Sequence, residues 1–141
     1  MALYTTIHLH NTPVAHAAEY AIWFDGEHHS SLANLRGFKS AERFEVAAEQ
    51  IMADIPQPWR YMSVYDFDLP CPEIDLPALG PLLAEARDRG MISDDGSERI
   101  YSYQLFGDWK ASPNWQQDQP FSGVSLILAN YVPGRYDEYQ T

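Results

Sequence analysis

The sequence predicts an α+β fold whose six elements run β-α-β-β-α-β. Three observations predict it. Residues 3–10, 38–47, 59–69 and 99–109 have strand character, most plainly as side chains that alternate in type from one position to the next. Residues 14–35 and 75–89 instead repeat apolar side chains every three or four positions, as amphipathic helices do. Clusters of Gly, Pro, Asn and Asp stand where one pattern gives way to the next.

In the first strand Leu3, Thr5, Ile7 and Leu9 share one face, and Tyr4, Thr6, His8 and His10 share the other. Asn11-Thr12-Pro13 breaks it. The helix that follows carries Tyr20, Trp23/Phe24, Glu27/His28 and Leu32 at helical spacing. Gly26 inside it costs about 1 kcal/mol relative to alanine and counts mildly against the assignment. Gly37 ends the helix as a C-terminal glycine does. The second strand then sets Phe38, Ser40, Glu42, Phe44 and Val46 against Lys39, Ala41, Arg43 and Glu45.

Pro56 and Pro58 bound a polar connection, after which Tyr61, Ser63, Tyr65 and Phe67 fall on one side of the third strand. Leu76, Leu79, Leu82/Leu83 and Ala86 form the stripe of the second helix, and Gly90 closes it. Ser93-Asp94-Asp95-Gly96 makes a turn into the fourth strand. This order is a split βαβ, or ferredoxin-like, unit complete by residue 109. Residues 110–122 read as a polar linker, and residues 123–132 as an extra strand too apolar to stay exposed. Ile127 to Tyr139 echoes Ile7 to Tyr20 as strand, Asn, Pro and then Glu-Tyr. Residues 123–141 therefore read either as an accessory strand with a tail or as the start of a second copy of the unit.

A chain of 141 residues holds one ordinary domain, and 45% hydrophobic with 13% aromatic residues is a globular composition. The net charge of −11 argues against nucleic-acid partners and anionic membrane surfaces, both of which demand clustered Lys and Arg. The lone Cys71, between Pro70 and Pro72, excludes an internal disulfide and a cysteine metal cluster, and nothing nearby activates its thiol. With no basic, apolar leader and no apolar run near the roughly 20 residues of a membrane span, the expectation is a soluble cytoplasmic protein.

The run Tyr20, Trp23, Asp25, Glu27, His28, then Gly37, Phe38, Ser40, Ala41, Arg43 and Phe44, resembles the opening of the EthD-like dimeric α+β barrel group. Phe24, His29, Arg36 and Glu42 depart from that group's pattern. The resemblance implies two ferredoxin-like units pairing sheet to sheet as a homodimer, or in tandem within a longer chain. It implies a pocket between each unit's helices and its sheet, and a histidine at position 28 facing that pocket. The group spans isomerases, decarboxylases, cyclases, monooxygenases and accessory proteins.

His28 is the first candidate for chemistry, since an imidazole near neutral pKa in an apolar pocket is a natural acid or base. Asp25, three residues earlier, reaches the same helical face and would orient it. Against this, His28 reads equally as a satisfied packing residue, and Asp25 as the partner of Arg36 or Arg43. His8 and His10 share a strand face, so His10 is a second acid-base candidate and His8 a substrate contact. His-x-His also suits a metal, but with no further carboxylates at ligand spacing no metal site is expected. Tyr65 would polarise a substrate oxygen, and Tyr20, Trp23, Phe24, Phe44 and Tyr61 would line the pocket. No G-x-G-x-x-G, Walker A, nucleophile elbow or zinc-protease helix occurs, so no nucleotide cofactor is expected.

The reading is a cofactor-independent lyase or isomerase acting on a small apolar carbonyl or aromatic metabolite by histidine acid/base chemistry. The alternative is a non-catalytic small-ligand-binding or accessory protein of the same fold. A haem-linked variant is a third reading, which a Soret band would reveal.

Overall fold

A computed structural model describes residues 2–50, 52–105, 113 and 124–126. The chain divides into two compact units, Met1–Leu105 and Phe106–Thr141, and all the regular elements described belong to the first. Strand β1 (Ala2–His10) leads through a 3-10 turn, Val14–His16, into helix α1 (Ala17–Trp23). A π-helical turn, Phe24–His28, joins α1 without a break to α2 (His29–Leu32). Strands β2 (Phe38–Glu45) and β3 (Tyr61–Leu69) follow. Next come α3 (Pro72–Asp75), a 3-10 turn Leu76–Ala78, α4 (Leu79–Asp88) and β4 (Arg99–Gln104). The β-α-β-β-α-β order is the expected one. Each helical stretch changes winding along its length instead of running as one regular helix.

The four strands form one antiparallel sheet in the order β2-β3-β1-β4. Register places Tyr4, Thr6, His8 and His10 opposite Phe67, Tyr65, Ser63 and Tyr61. The helices cover that face. Tyr20, Trp23, Phe24 and Leu32 pack onto Tyr65, Phe67 and Leu69, and Leu79, Leu83, Ala86, Met91 and Ile92 complete the cluster. The face is apolar toward its Phe67–Leu69 end and turns polar toward His10, where the histidines of β1 stand.

The alternation expected along β2 breaks at its start. A bulge between Phe38 and Ser40 lets Phe38 pair with Phe67 and Ser40 with Asp66, so Phe38 stays beneath the helices while Ser40 turns to the opposite face. Everything after it is rephased: Ala41 and Arg43 join the helix side, and Phe44, opposite Met62, does not. Phe44 therefore falls on the sheet face away from the helices.

Gly37 has φ +76°, and a Cβ there would run into the Asp68 carbonyl and the Leu69 side chain. Its own carbonyl accepts the Asp68 amide at 2.8 Å, which pins the helix end to β3. Gly37→Ala should therefore destabilise by about 1–3 kcal/mol, since strained backbone and overlap act together. A urea midpoint unchanged from wild type would show that this junction yields.

Among the described residues no helix is long and apolar enough to cross a membrane. The expected linker and extra strand lie outside the described residues, except for Pro113 and Val124 to Leu126, which carry no regular structure. The end of the fourth strand expected at residue 109 lies outside them too; β4 as described stops at Gln104.

Candidate functional site

The π-helical turn builds the site. In it the His29 amide reaches back to the Phe24 carbonyl, one residue further than in an α-helix. The widened turn buries both Phe24 and His28, continuing the inward stripe of Tyr20 and Trp23 above and Leu32 below. Below them stand Thr6, His8 and His10 of β1 and Ser63 and Tyr65 of β3, every one of them buried. Three histidines and two tyrosines thus share one enclosed interior.

Hydrogen bonds organise it into three arms. His28 Nε2 lies 2.9 Å from the Tyr65 hydroxyl, and the Trp23 ring stacks on the imidazole at 4.1 Å between centroids. His10 Nε2 lies 3.0 Å from the Tyr20 hydroxyl, which lies 2.9 Å from Ser63 Oγ, while Thr12 Oγ1 sits 3.3 Å from His10 Nδ1. His8 Nε2 lies 2.9 Å from a Glu98 carboxylate oxygen, and Arg87 donates to the other oxygen at 2.9 and 2.6 Å. Tyr61 stacks on His10 with centroids 5.6 Å apart, and the His8 and His10 rings are 4.7 Å apart.

The electrostatics follow from burial. Desolvation, with the neighbouring His8 second, pushes His10 down to about 3; the same two causes and His29 push His28 down to about 4. Desolvation also lowers His8, though Glu98 counteracts it. Burial raises the Tyr20 hydroxyl to about 12 and holds Tyr65 well above the usual phenol range. At neutral pH the interior is therefore a set of uncharged imidazoles and phenols. Among the described residues His8 Nδ1, His28 Nδ1 and Trp23 Nε1 are buried without a hydrogen-bond partner. A fold satisfies nearly all such atoms, so three unpartnered ones in one region mark it as the candidate site.

Neither a protein-family model nor a curated protein matches the chain. Solved structures do. HapK from Hahella chejuensis superposes with a TM-score of 0.55 at 16% identity, over 77% of this chain and 98% of its own. A DABB family protein with a ferredoxin-like fold, from Mesorhizobium loti, superposes at 0.50 and 14% identity, over 76% of this chain and 100% of its own. The fold is ferredoxin-like. A third match, named for antibiotic biosynthesis monooxygenases and from Bordetella bronchiseptica, has a TM-score of 0.50 at 12% identity, over 74% of this chain and 98% of its own. Identities this low speak for the fold alone.

The ferredoxin-like sheet brings together most of the residues that the sequence singles out: His8, His10, Tyr20, Trp23, Phe24, His28, Tyr61 and Tyr65. Two do not join them. Phe44 is turned away by the β2 bulge. Asp25 lies outside the interior, its carboxylate held by Arg43 at 3.1 and 2.9 Å, with both side chains largely exposed. The Arg43 hydrogen bond is the main cause holding the Asp25 carboxyl below its usual range. Asp25 is thus the helix-to-strand partner of Arg43 and does not orient His28; the widened turn removes the face that an α-helix would have given the two.

Sequence reading missed Ser63, Thr6 and Glu98. Ser63 and Thr6 carried a signal, since each shares a predicted strand face with chosen residues. Glu98 carried none. It sits just before β4, and only the pairing of His8 with Ile100 brings it to the end of β1.

Proposed function

We propose that the chain is an EthD-like enzyme, a lyase or isomerase that needs no bound cofactor and moves a proton on a small apolar carbonyl or aromatic metabolite. The observation that carries this reading is the His28–Tyr65 pair, enclosed by Trp23 and Phe24, with a neutral imidazole whose Nδ1 has no partner among the described residues. When His28 Nε2–H donates to the phenolic oxygen, the Tyr65 O–H is free to donate to a substrate oxygen. That bond strengthens as charge develops on the oxygen during removal of a neighbouring proton. Burial keeps both groups uncharged, so neither competes with the substrate for the proton. Aromatic walls suit an apolar ligand, and the acidic surface charge disfavours a polyanionic one. A homodimer, sheet against sheet, is the assembly that this reading takes.

The test is hydrogen exchange. Incubated in heavy water with a panel of small aryl ketones and unsaturated lactones, the protein should exchange the proton next to the carbonyl of at least one member, as read by proton NMR. Binding without exchange across the panel would leave the non-catalytic ligand-binding reading. Neither binding nor exchange would overturn both.

A further inference from the structure

Among the described residues, His8 is the one buried histidine hydrogen-bonded to a carboxylate. Its Nε2 sits 2.9 Å from Glu98, whose other oxygen is held by Arg87 through two nitrogens. Burial alone would push the Glu98 carboxyl up, yet the His8 bond and the Arg87 guanidinium together hold it below its usual range. It is therefore an anion at neutral pH, and an anion can only accept from His8. Nε2 must then carry the proton, which leaves Nδ1 as a bare lone pair. That Nδ1 is buried and has no partner among the described residues.

We propose that His8 is the general base of the site and Glu98 its positioning residue, an inference that rests on the proton-transfer reading above. His8 Nδ1 takes the proton from the substrate carbon, and the C–H electron pair becomes the enolate π bond. The Tyr65 hydroxyl, backed by His28, holds the enolate oxygen. In an isomerisation of an unsaturated substrate the imidazolium returns its proton to the γ-carbon of the conjugated enolate, so that the double bond moves. In a lyase reaction the enolate pair forms a C=C bond as the β-carbon–leaving-group bond breaks, and the imidazolium protonates the departing group. Either way it is neutral again. One proton leaves and one is returned, and nothing is oxidised or reduced. Glu98 fixes the tautomer and balances the charge that His8 acquires. Among the described residues no carboxylate is hydrogen-bonded to His28 or His10. Among the described residues the charged and titratable groups that interact with His8 are Glu98 and Arg87 on one side, with His10 and His28 in the interior, and Glu98 is the anion among them.

Two measurements decide it. Long-range proton–nitrogen NMR of ¹⁵N-histidine protein at pH 7 should show His8 protonated at Nε2 and bare at Nδ1; the opposite tautomer would overturn the proposal whatever the substrate. In the exchange assay Glu98→Gln should cost on the order of 10²–10⁴-fold. It should also move the acid limb of the pH profile to lower pH, because the carboxylate that raises the His8 pKa is gone. His8→Gln should cost as much, and the double variant no more than His8→Gln alone. Wild-type exchange that survives Glu98→Gln at an unchanged rate would sink the His8 assignment and leave the proton-transfer reading standing. No wild-type exchange on any probe would sink that reading, and the catalytic role of His8 with it.

Discussion

Replacing His28 by glutamine should lower proton exchange by on the order of 10²–10³-fold, the loss typical of removing one donor from a site that stabilises a developing oxyanion. Glutamine keeps a polar group near the Tyr65 hydroxyl, so the fold should persist. Alanine would leave that hydroxyl unpartnered in the interior at a cost of about 1–3 kcal/mol and would confuse stability with chemistry. The loss should fall on kcat more than on KM, because the interaction strengthens only as charge builds up. Asp25→Asn is the matching control. It breaks an exposed pair worth less than about 1 kcal/mol and should leave turnover within a few-fold. A His28→Gln protein that turns over as wild type does would remove this histidine from the mechanism.

Acid should unfold the protein early. His10 and His28 are held at about 3 and about 4 in the folded chain, below the roughly 6.5 of an unfolded histidine. The sign follows from proton counts. Below pH 6.5 the unfolded chain takes up protons that the folded chain refuses, so stability falls as pH drops and the loss is complete only near the folded values. By linkage each histidine removes about 2 kcal/mol between pH 7 and pH 5. The two together reach about 4 kcal/mol, a large share of the 5–15 kcal/mol that ordinarily separates folded from unfolded chains. Urea titrations at pH 7 and pH 5 measure this, and His10→Asn should roughly halve the difference whatever it does to absolute stability. A midpoint that is flat over those two pH units would mean that the imidazoles are not held neutral.

The fold was legible because alternation and helical spacing respond to burial, and burial is what a sheet with helices on one face imposes. The helix-facing sides of β1 and β3 were read correctly side chain by side chain, which is why His8, His10, Tyr61 and Tyr65 lie together on one face as expected. Each of the two departures came from one inserted residue of its own. A bulge after Phe38 swapped the faces of β2 and took Phe44 from the site. A π-helical turn at Phe24–His28 shifted the helix phase and separated Asp25 from His28. Neither insertion changes composition, and both are decided by contacts distant in sequence. Glu98 was illegible for a related reason. Its partner lies 90 residues away, and no periodic pattern surrounds it.

The π-helical turn also divides the first helical stretch into two separately registered halves. Tyr20 on one side is committed to His10 and Ser63, and His28 on the other to Tyr65. Both commitments hold at once only because the extra residue corrects the angle between them, much as a shim sets two shafts in line. Were the same residues wound as a regular α-helix, His28 would stand about 80° round the axis from Tyr20 instead of on the same face, because eight steps of about 100° overshoot two turns by that much. One of the two hydrogen bonds to the sheet, at His10 or at Tyr65, would then be lost. A substitution that relaxes the turn to α-helical winding can therefore dismantle the site with all three histidines and both tyrosines still in place.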